Sequence, residues 1–196
     1  AGLIEPGHFR FTVVGESILQ MRSRLWFMHR GMEKLFEGRT PQDGLALAER
    51  ISGDTAVGHG LAFVMAVEDA AGIVVDERAR VIRALLLELE RLYNHVGDLG
   101  AIVNDVGYGI AKSHCDALKE DLLRHNKRLT GHRLLRGGVL LGGARLLAAP
   151  EASLVADVAA RADEVARVAL EHPIVANRVV DQAILKRSSA EEFGAL

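Results

Sequence analysis

Between Phe9 and Trp26, apolar and polar residues alternate. Phe9, Phe11 and Val13 stand against Arg10 and Thr12; Gly15-Glu16 interrupts; Ile18, Leu19 and Met21 then stand against Arg22 and Arg24. Period two on both sides of a glycine-containing turn predicts an antiparallel β-hairpin. Gly31 to Phe36 has room for one short helical turn. Thr40-Pro41 supplies an N-cap followed by proline at the first helical position, which predicts a helix from about Pro41 to Ile51, interrupted by Gly53. Helical spacing resumes from about Val57 to Ala71, through Leu61, Val64, Met65 and Glu68, and Gly72 ends it.

The strongest pattern follows Asp76, a candidate N-cap. Val81, Ile82, Leu85, Leu86, Leu89, Leu92, Tyr93, Val96 and Leu99 form a broad apolar face, with Arg80, Arg83, Glu90, Arg91 and Asp98 mostly off it. A helix on the order of twenty residues or more belongs at the centre of a bundle. Further helices are predicted over about Ala111 to Leu129, Glu151 to Glu171 and Val175 to Lys186, with His172-Pro173 separating the last two. Gly131 to Gly143, with two Gly-Gly pairs, is expected to be a bend or loop. The expected fold is mainly α: a helical bundle with a long central helix and a small N-terminal antiparallel β-hairpin.

Composition narrows the function classes. The 196 residues are 49% hydrophobic and 26% charged, with a net charge of −2. Aromatics are only 5%, so Leu, Val, Ile and Ala must build the core. Lys and Arg are spread along the chain, which argues against a nucleic-acid footprint. The single cysteine, Cys115, excludes an internal disulfide, points to a reducing compartment and cannot by itself hold an iron–sulfur cluster. No apolar run reaches the length of a membrane span, and no signal peptide is expected. The abrupt start and finish suggest a piece of a longer chain.

Little chemistry follows from spacing alone. Eight histidines are present, but none lies in an H-E-x-x-H pattern or beside cysteine at zinc spacing. Gly107-Tyr108-Gly109 lacks the βαβ context of a dinucleotide site, and no Walker pattern exists. Two carboxylates stand out. Glu68 sits in the apolar run Phe63-Val64-Met65-Ala66-Val67, and Glu88 follows three leucines. A carboxylate on a buried face must be paired, hydrogen-bonded or protonated. Either a buried ion pair, with Arg83 or Arg91, or a proton-transfer group satisfies that condition.

In chain order, longer motifs accumulate. Glu5-Pro6-Gly7-His8-Phe9-Arg10 is followed by His29-Arg30-Gly31-Met32-Glu33-Lys34 and Gly38-Arg39-Thr40-Pro41-Gln42-Asp43. Glu49-Arg50-Ile51-Ser52-Gly53-Asp54-Thr55-Ala56-Val57-Gly58-His59 comes next. Glu77 to Arg83, Glu88-Leu89-Glu90-Arg91-Leu92-Tyr93-Asn94-His95, and Leu129-Thr130-Gly131 through Gly142-Gly143 complete the series. In this order they resemble the large-subunit family shared by energy-converting NiFe hydrogenases, of the formate-hydrogenlyase and hydrogenase-4 type, and respiratory complex I, whose member is its 49 kDa subunit. The resemblance covers essentially the whole chain. It implies a family domain over residues 1–196, with the hairpin at about 8–27, the bundle at about 32–196 and the family's C-terminal half absent.

The chain departs from that pattern in two places. Active hydrogenases read R-x-C-G-x-C-x-x-x-H where this chain has Ser52 and Thr55, and the family's C-terminal D-P-C-x-x-C is absent. Neutral hydroxyls are poor ligands for a soft, thiolate-preferring metal, so no metal ligand is expected and no cofactor is expected on the chain alone. Complex I uses the vacated pocket for quinone, reduced from a 4Fe–4S cluster in a partner. Its pocket tyrosine, however, corresponds to Gly53 here, and the histidine of its G-A-R-M-H block corresponds to Leu135.

What the resemblance implies for this chain is therefore specific. His8 is the candidate quinone-headgroup contact, and Arg30 is the residue facing the partner's cluster. Arg30, Glu33, Arg50 and His59 surround the former metal pocket. Asp54 stands in the old metal loop, either as a site residue or as the N-cap of the next helix. Glu68, Glu88 and His95 are candidate proton-path groups. The implied partners are an iron–sulfur small subunit, like the cluster-bearing neighbour in complex I, and membrane subunits of the same complex. They would hold the chain peripherally on the cytoplasmic side of the membrane. The competing expectation is an inactive structural or assembly paralogue that docks partner subunits.

Overall fold

The computed structural model describes residues 6–182 and 184–195. Glu5, from the opening motif, lies outside the described residues. Strands β1 (His8–Val14) and β2 (Ser17–Arg24) form the expected antiparallel hairpin. Gly15, at φ 58°, occupies the two-residue turn, where a left-handed residue matches the twist of the flanking strands. The register runs His8↔Arg24, Arg10↔Arg22 and Phe11↔Met21, with an irregularity between Thr12 and Val13.

Helices α1 (Met32–Phe36) and α2 (Pro41–Ala48) follow. Thr40 caps α2, its hydroxyl accepting from the Asp43 N–H at 3.2 Å. The helix ends earlier than the predicted Ile51, because Ile51 N–H turns back to the Ala48 carbonyl at 3.2 Å and opens the loop that follows. Helix α3 (Ala56–Ala71) closes on Gly72 in the left-handed region, as its sequence predicts. Asp76 starts the long helix α4 (Glu77–Asp105, 29 residues), accepting from Ala79 N–H at 2.8 Å.

Helix α5 (Gly109–Thr130) leads into the glycine-punctuated stretch. That stretch is more than the expected bend: β3 (Val139–Leu140) and β4 (Gly143–Ala144) pair antiparallel within it. Helix α6 (Ala152–Glu171) comes next. The predicted helix from Val175 to Lys186 is corrected to two short ones, α7 (Pro173–Val179) and α8 (Arg187–Glu192). Val180 is extended and Asp181 has φ 59°, so the backbone leaves helical geometry there; Ala183, inside the predicted helix, lies outside the described residues.

The chain forms two compact units. The first contains the residues up to Asn94 together with Leu122–Glu151; the second contains His95–Asp121 and Ala152 onward. Ala48, Val57, Val64, Leu86, Leu89, Tyr93, Leu122, Leu129 and Val139 are buried in the first unit. In the second, Val103, Ala111, Ala169 and Val175 pack with Leu99, Val106, Tyr108 and Val165. Cys115 is buried in this second unit, and burial pushes its thiol pKa up.

Candidate functional site

The loop from Glu49 to Thr55 is the chemically densest part of the first unit. It begins where α2 breaks and is fixed from three sides. From the N-terminal side, the Arg30 guanidinium donates to the Arg50 carbonyl at 3.4 Å and to the Ile51 carbonyl. From the β3 side, the Glu49 carboxylate accepts from Gly137 N–H at 2.7 Å, and Arg136 Nε donates to the Glu49 carbonyl at 3.2 Å. From α4, the Tyr93 hydroxyl and the Asn94 side-chain amide both donate to the Asp54 carbonyl, at 2.9 and 2.7 Å. Also on α4, Glu90 fixes the start of the helix that follows the loop: its carboxylate accepts from Val57 N–H at 2.6 Å and from Gly58 N–H at 2.8 Å.

Glu90 therefore does the work of an N-cap for α3 from another helix. The first N–H groups of a helix have no partner inside it, and the helix dipole favours a negative charge there. Thr55, the residue in the cap position, makes no side-chain cap bond. The expectation of Asp54 as an ordinary N-cap is corrected by this geometry. Its carboxylate instead accepts from the hydroxyls of Ser52 at 2.6 Å and Thr55 at 3.3 Å. Gly58 is required by the close approach: a Cβ there would come within 3.3 Å of Glu90 Oε1 and 2.9 Å of Thr55 Cγ2.

Burial pushes the pKa values of Glu49 and Glu90 above the usual carboxylate value despite their backbone donors. Burial, with Glu90 and Asp54 nearby, also raises that of Tyr93, so its phenol remains a hydrogen-bond donor. On the outer side of the loop the charge is positive. Burial first, then the cations Arg136 and Arg50, push His132 below its usual value. A second carboxylate, Glu68, is held low by Arg83, which meets both its oxygens at 2.9 and 2.5 Å. Arg83 also donates to the Leu140 and Gly143 carbonyls, and Gly142 N–H donates to Glu68. For Glu68 the structure thus selects the buried ion pair and uses it to anchor the β3–β4 pair.

Glu88 does not lie on the buried face its sequence context suggests. It is exposed and pairs with Arg91 at 3.3 Å, one helical turn away. The buried carboxylate of that motif is Glu90, 3% exposed, and Arg83 is 4% exposed. Both were expected off the apolar face; they are buried because each reaches a satisfied set of partners across the helix interface.

The remaining predicted residues are dispersed. His8 is exposed on β1 opposite Arg24. Glu33 is exposed in the first turn of α1. Arg30 and Arg50 meet at the loop. His59 is half-buried in the first turn of α3, its N–H bonded to the Thr55 carbonyl at 3.1 Å. His95, exposed on α4, belongs to the second unit. Leu135, where the family histidine would fall, is fully buried at φ 58°.

The nickel–iron centre of the hydrogenase family does not fit this loop. The two positions that would supply thiolates carry hydroxyls, and both hydroxyls are engaged by the Asp54 carboxylate. Among the described residues, no group of three or more His, Cys, Asp or Glu is placed to hold a metal ion. Among the same residues, no helix is long and apolar enough to cross a membrane.

A mainly helical chain with an N-terminal hairpin, and a glycine- and arginine-flanked loop leading into α3, defines a hydrogenase large-subunit-like protein. Residues 30–98 match the Nickel-dependent hydrogenase family. The chain is 41% identical to formate hydrogenlyase subunit 5 of Escherichia coli over 72% of its own length and 25% of that protein's. It is 35% identical to hydrogenase-4 component G of the same organism, over 96% of this chain and 35% of the relative. It is also 31% identical to an NADH-quinone oxidoreductase subunit of Thermosipho melanesiensis, over 96% of this chain and 54% of the relative. The chain is similar to the large subunits of both NiFe hydrogenases and respiratory complex I, and it carries Ser52 and Thr55, not cysteines, in the matched region. It spans from a quarter to about half the length of these curated relatives.

Proposed function

We propose that the chain is part of the large subunit of a membrane-associated respiratory oxidoreductase related to complex I and the energy-converting hydrogenases. In this reading it takes electrons from a 4Fe–4S cluster in an iron–sulfur partner and couples their transfer to proton movement, without a nickel–iron centre. The carrying observation is the loop itself: Tyr93, Asn94 and Arg30 hold its backbone and Glu90 the start of the helix after it, although its Ser52 and Thr55 carry hydroxyls bound to Asp54. The loop is held by backbone hydrogen bonds, and its side chains offer hydroxyls and a carboxylate.

Each residue then has a physical task. Arg30 and Arg50 put positive charge at the outer side of the loop, where a cation stabilises a reduced cluster or an anionic acceptor, more strongly at low dielectric. His8 is assigned as the quinone-headgroup contact, offering an imidazole hydrogen bond to the headgroup. His59 follows the loop in the first turn of α3, its N–H bonded to the Thr55 carbonyl, and Glu33 is an exposed acid on α1. Glu88 and His95 are exposed groups on α4 suited to exchanging protons with solvent. The partner subunits hold the chain on the cytoplasmic side of the membrane.

The test is reconstitution with the iron–sulfur partner. Arg30→Ala and His8→Ala are each expected to lower quinone-linked turnover; wild-type rates in both would overturn these roles. A second reading, an inactive paralogue that docks partners, is favoured by one observation: the Ser52 and Thr55 hydroxyls are already bonded to Asp54. It predicts full assembly of the complex with no change in turnover for either variant.

A further inference from the structure

The hairpin has two unlike faces. Directly opposed residues lie on the same side of a two-stranded sheet, so the register places His8, Arg10, Thr12, Gln20, Arg22 and Arg24 on one face. Phe9, Phe11, Val13, Ile18 and Met21 occupy the other. All of these side chains are exposed. The polar face carries no acid; Arg10 directly opposes Arg22, and Arg24 lies two residues along the same strand, opposite His8.

Like charges directly opposite one another destabilise a strand pair, and an isolated two-stranded hairpin is marginal in water. A sheet with such an arginine pair, and a third arginine beside it, gains stability when a surface of opposite charge lies against it. Guanidinium groups present planar forks that match carboxylates in bidentate geometry. A bilayer fits poorly, because its surface would take the apolar face and leave the cations pointing away from the lipid headgroups. A nucleic-acid strand also fits poorly, since the cationic face bears no Phe, Tyr or Trp on which bases stack.

We infer that the three arginines on this face of the hairpin, Arg10, Arg22 and Arg24, form a docking strip for a protein surface rich in Asp and Glu. The inference concerns assembly and goes beyond the redox reading above, so it holds for an active or an inactive subunit alike.

The experiment uses the full chain in the complex isolated from its host. Arg10→Lys with Arg22→Lys keeps both charges and adds amines that a zero-length carbodiimide couples to carboxylates in contact. New amide cross-links from positions 10 and 22 to Asp or Glu of a co-purifying subunit are expected, relative to wild type. Arg10→Glu with Arg22→Glu is expected to reduce that subunit's recovery by about tenfold or more at low salt. Arg10→Gln with Arg22→Gln, compared by circular dichroism and thermal melting, separates loss of docking from loss of fold. Cross-linking no greater than in wild type, or undiminished recovery of the subunit with the charge-reversed chain, overturns the inference. So does charge-dependent binding to phosphatidylglycerol vesicles without any cross-link to protein, which would assign the strip to lipid. Turnover is not the readout, so failure here is distinguishable from failure of the redox roles.

Discussion

Asn94 donates its side-chain amide to the carbonyl oxygen of Asp54 at 2.7 Å, joining the middle of α4 to the loop where hydrogenases keep their metal-binding cysteines. Tyr93, the residue before it, reaches the same carbonyl, and Glu90, one turn earlier, reaches the helix after the loop. Three side chains at positions i, i+3 and i+4 share one helix face. Together they fix the loop and its junction with α3.

Removing the most heavily used of the three has a defined cost. Glu90→Ala leaves the Val57 and Gly58 N–H groups without their acceptor in a buried setting. It should destabilise the protein by about 1–3 kcal/mol, read from a urea midpoint. An effect within about 0.5 kcal/mol, the usual range of surface substitutions, would show that water replaces Glu90 easily.

The buried Glu68–Arg83 pair should behave asymmetrically. Breaking it on one side, by Arg83→Met or Glu68→Leu, leaves a buried charge unpaired and should cost about 3–5 kcal/mol. Replacing both residues with apolar ones should cost less than either single change. A double-mutant cycle in chemical denaturation checks this; additive losses would contradict it.

The carboxylates also predict opposite pH dependences. Glu68 is held below its ordinary value of 4.5 by Arg83. Its contribution is therefore present above that pH and is lost as pH falls through the lowered folded value. Glu49 and Glu90 are raised from 4.5 by burial. In the folded state they bind protons more readily than when unfolded, so their contribution is greatest below 4.5 and diminishes as pH rises through the raised folded values. Relative to wild type, Glu68→Gln should flatten the acid loss of stability, whereas Glu90→Gln should reduce the decline on the alkaline side. Denaturant midpoints across pH 3 to about 7, a range spanning ordinary carboxylate titration, measure both slopes. Parallel curves for all three proteins would contradict the assignment.

The purified chain is expected to carry nickel far below one equivalent by elemental analysis. Ser52→Cys with Thr55→Cys should leave it nickel-poor, because two thiolates do not complete a four-thiolate site. Near-stoichiometric nickel in either protein would overturn the reading of the loop.

Much of the fold is legible in the sequence, because α4 follows a sustained helical period and the hairpin a strict alternation. Thr40-Pro41, Gly72 and Asp76 mark element ends whose physics is local. Other features depend on distant partners. Glu90 looks like a surface charge until Val57 and Gly58 are brought to it, and the fold is what selects Arg83 over Arg91 as the partner of Glu68 and adds its bond to Gly143. Glu88 looks buried because it follows three leucines, yet 100° per residue carries it outward. The β3–β4 pair escapes notice because two-residue strands have no period. The break after Val179 rests on a left-handed Asp181 that nothing nearby in the sequence requires. The site positions came from motif order; what holds them, chiefly Glu90, Tyr93 and Asn94, came only from geometry.

Arg30 grips the start of the loop through the Arg50 and Ile51 carbonyls and is the residue assigned to face the partner's cluster. The most direct test of that assignment is quinone-linked turnover by the complex reconstituted with its iron–sulfur partner, wild type against Arg30→Ala, at matched assembly. A fall of about tenfold or more is expected, equivalent to roughly 1.4 kcal/mol in the barrier. Unchanged turnover in a fully assembled complex would contradict the assignment and leave the chain as a docking scaffold.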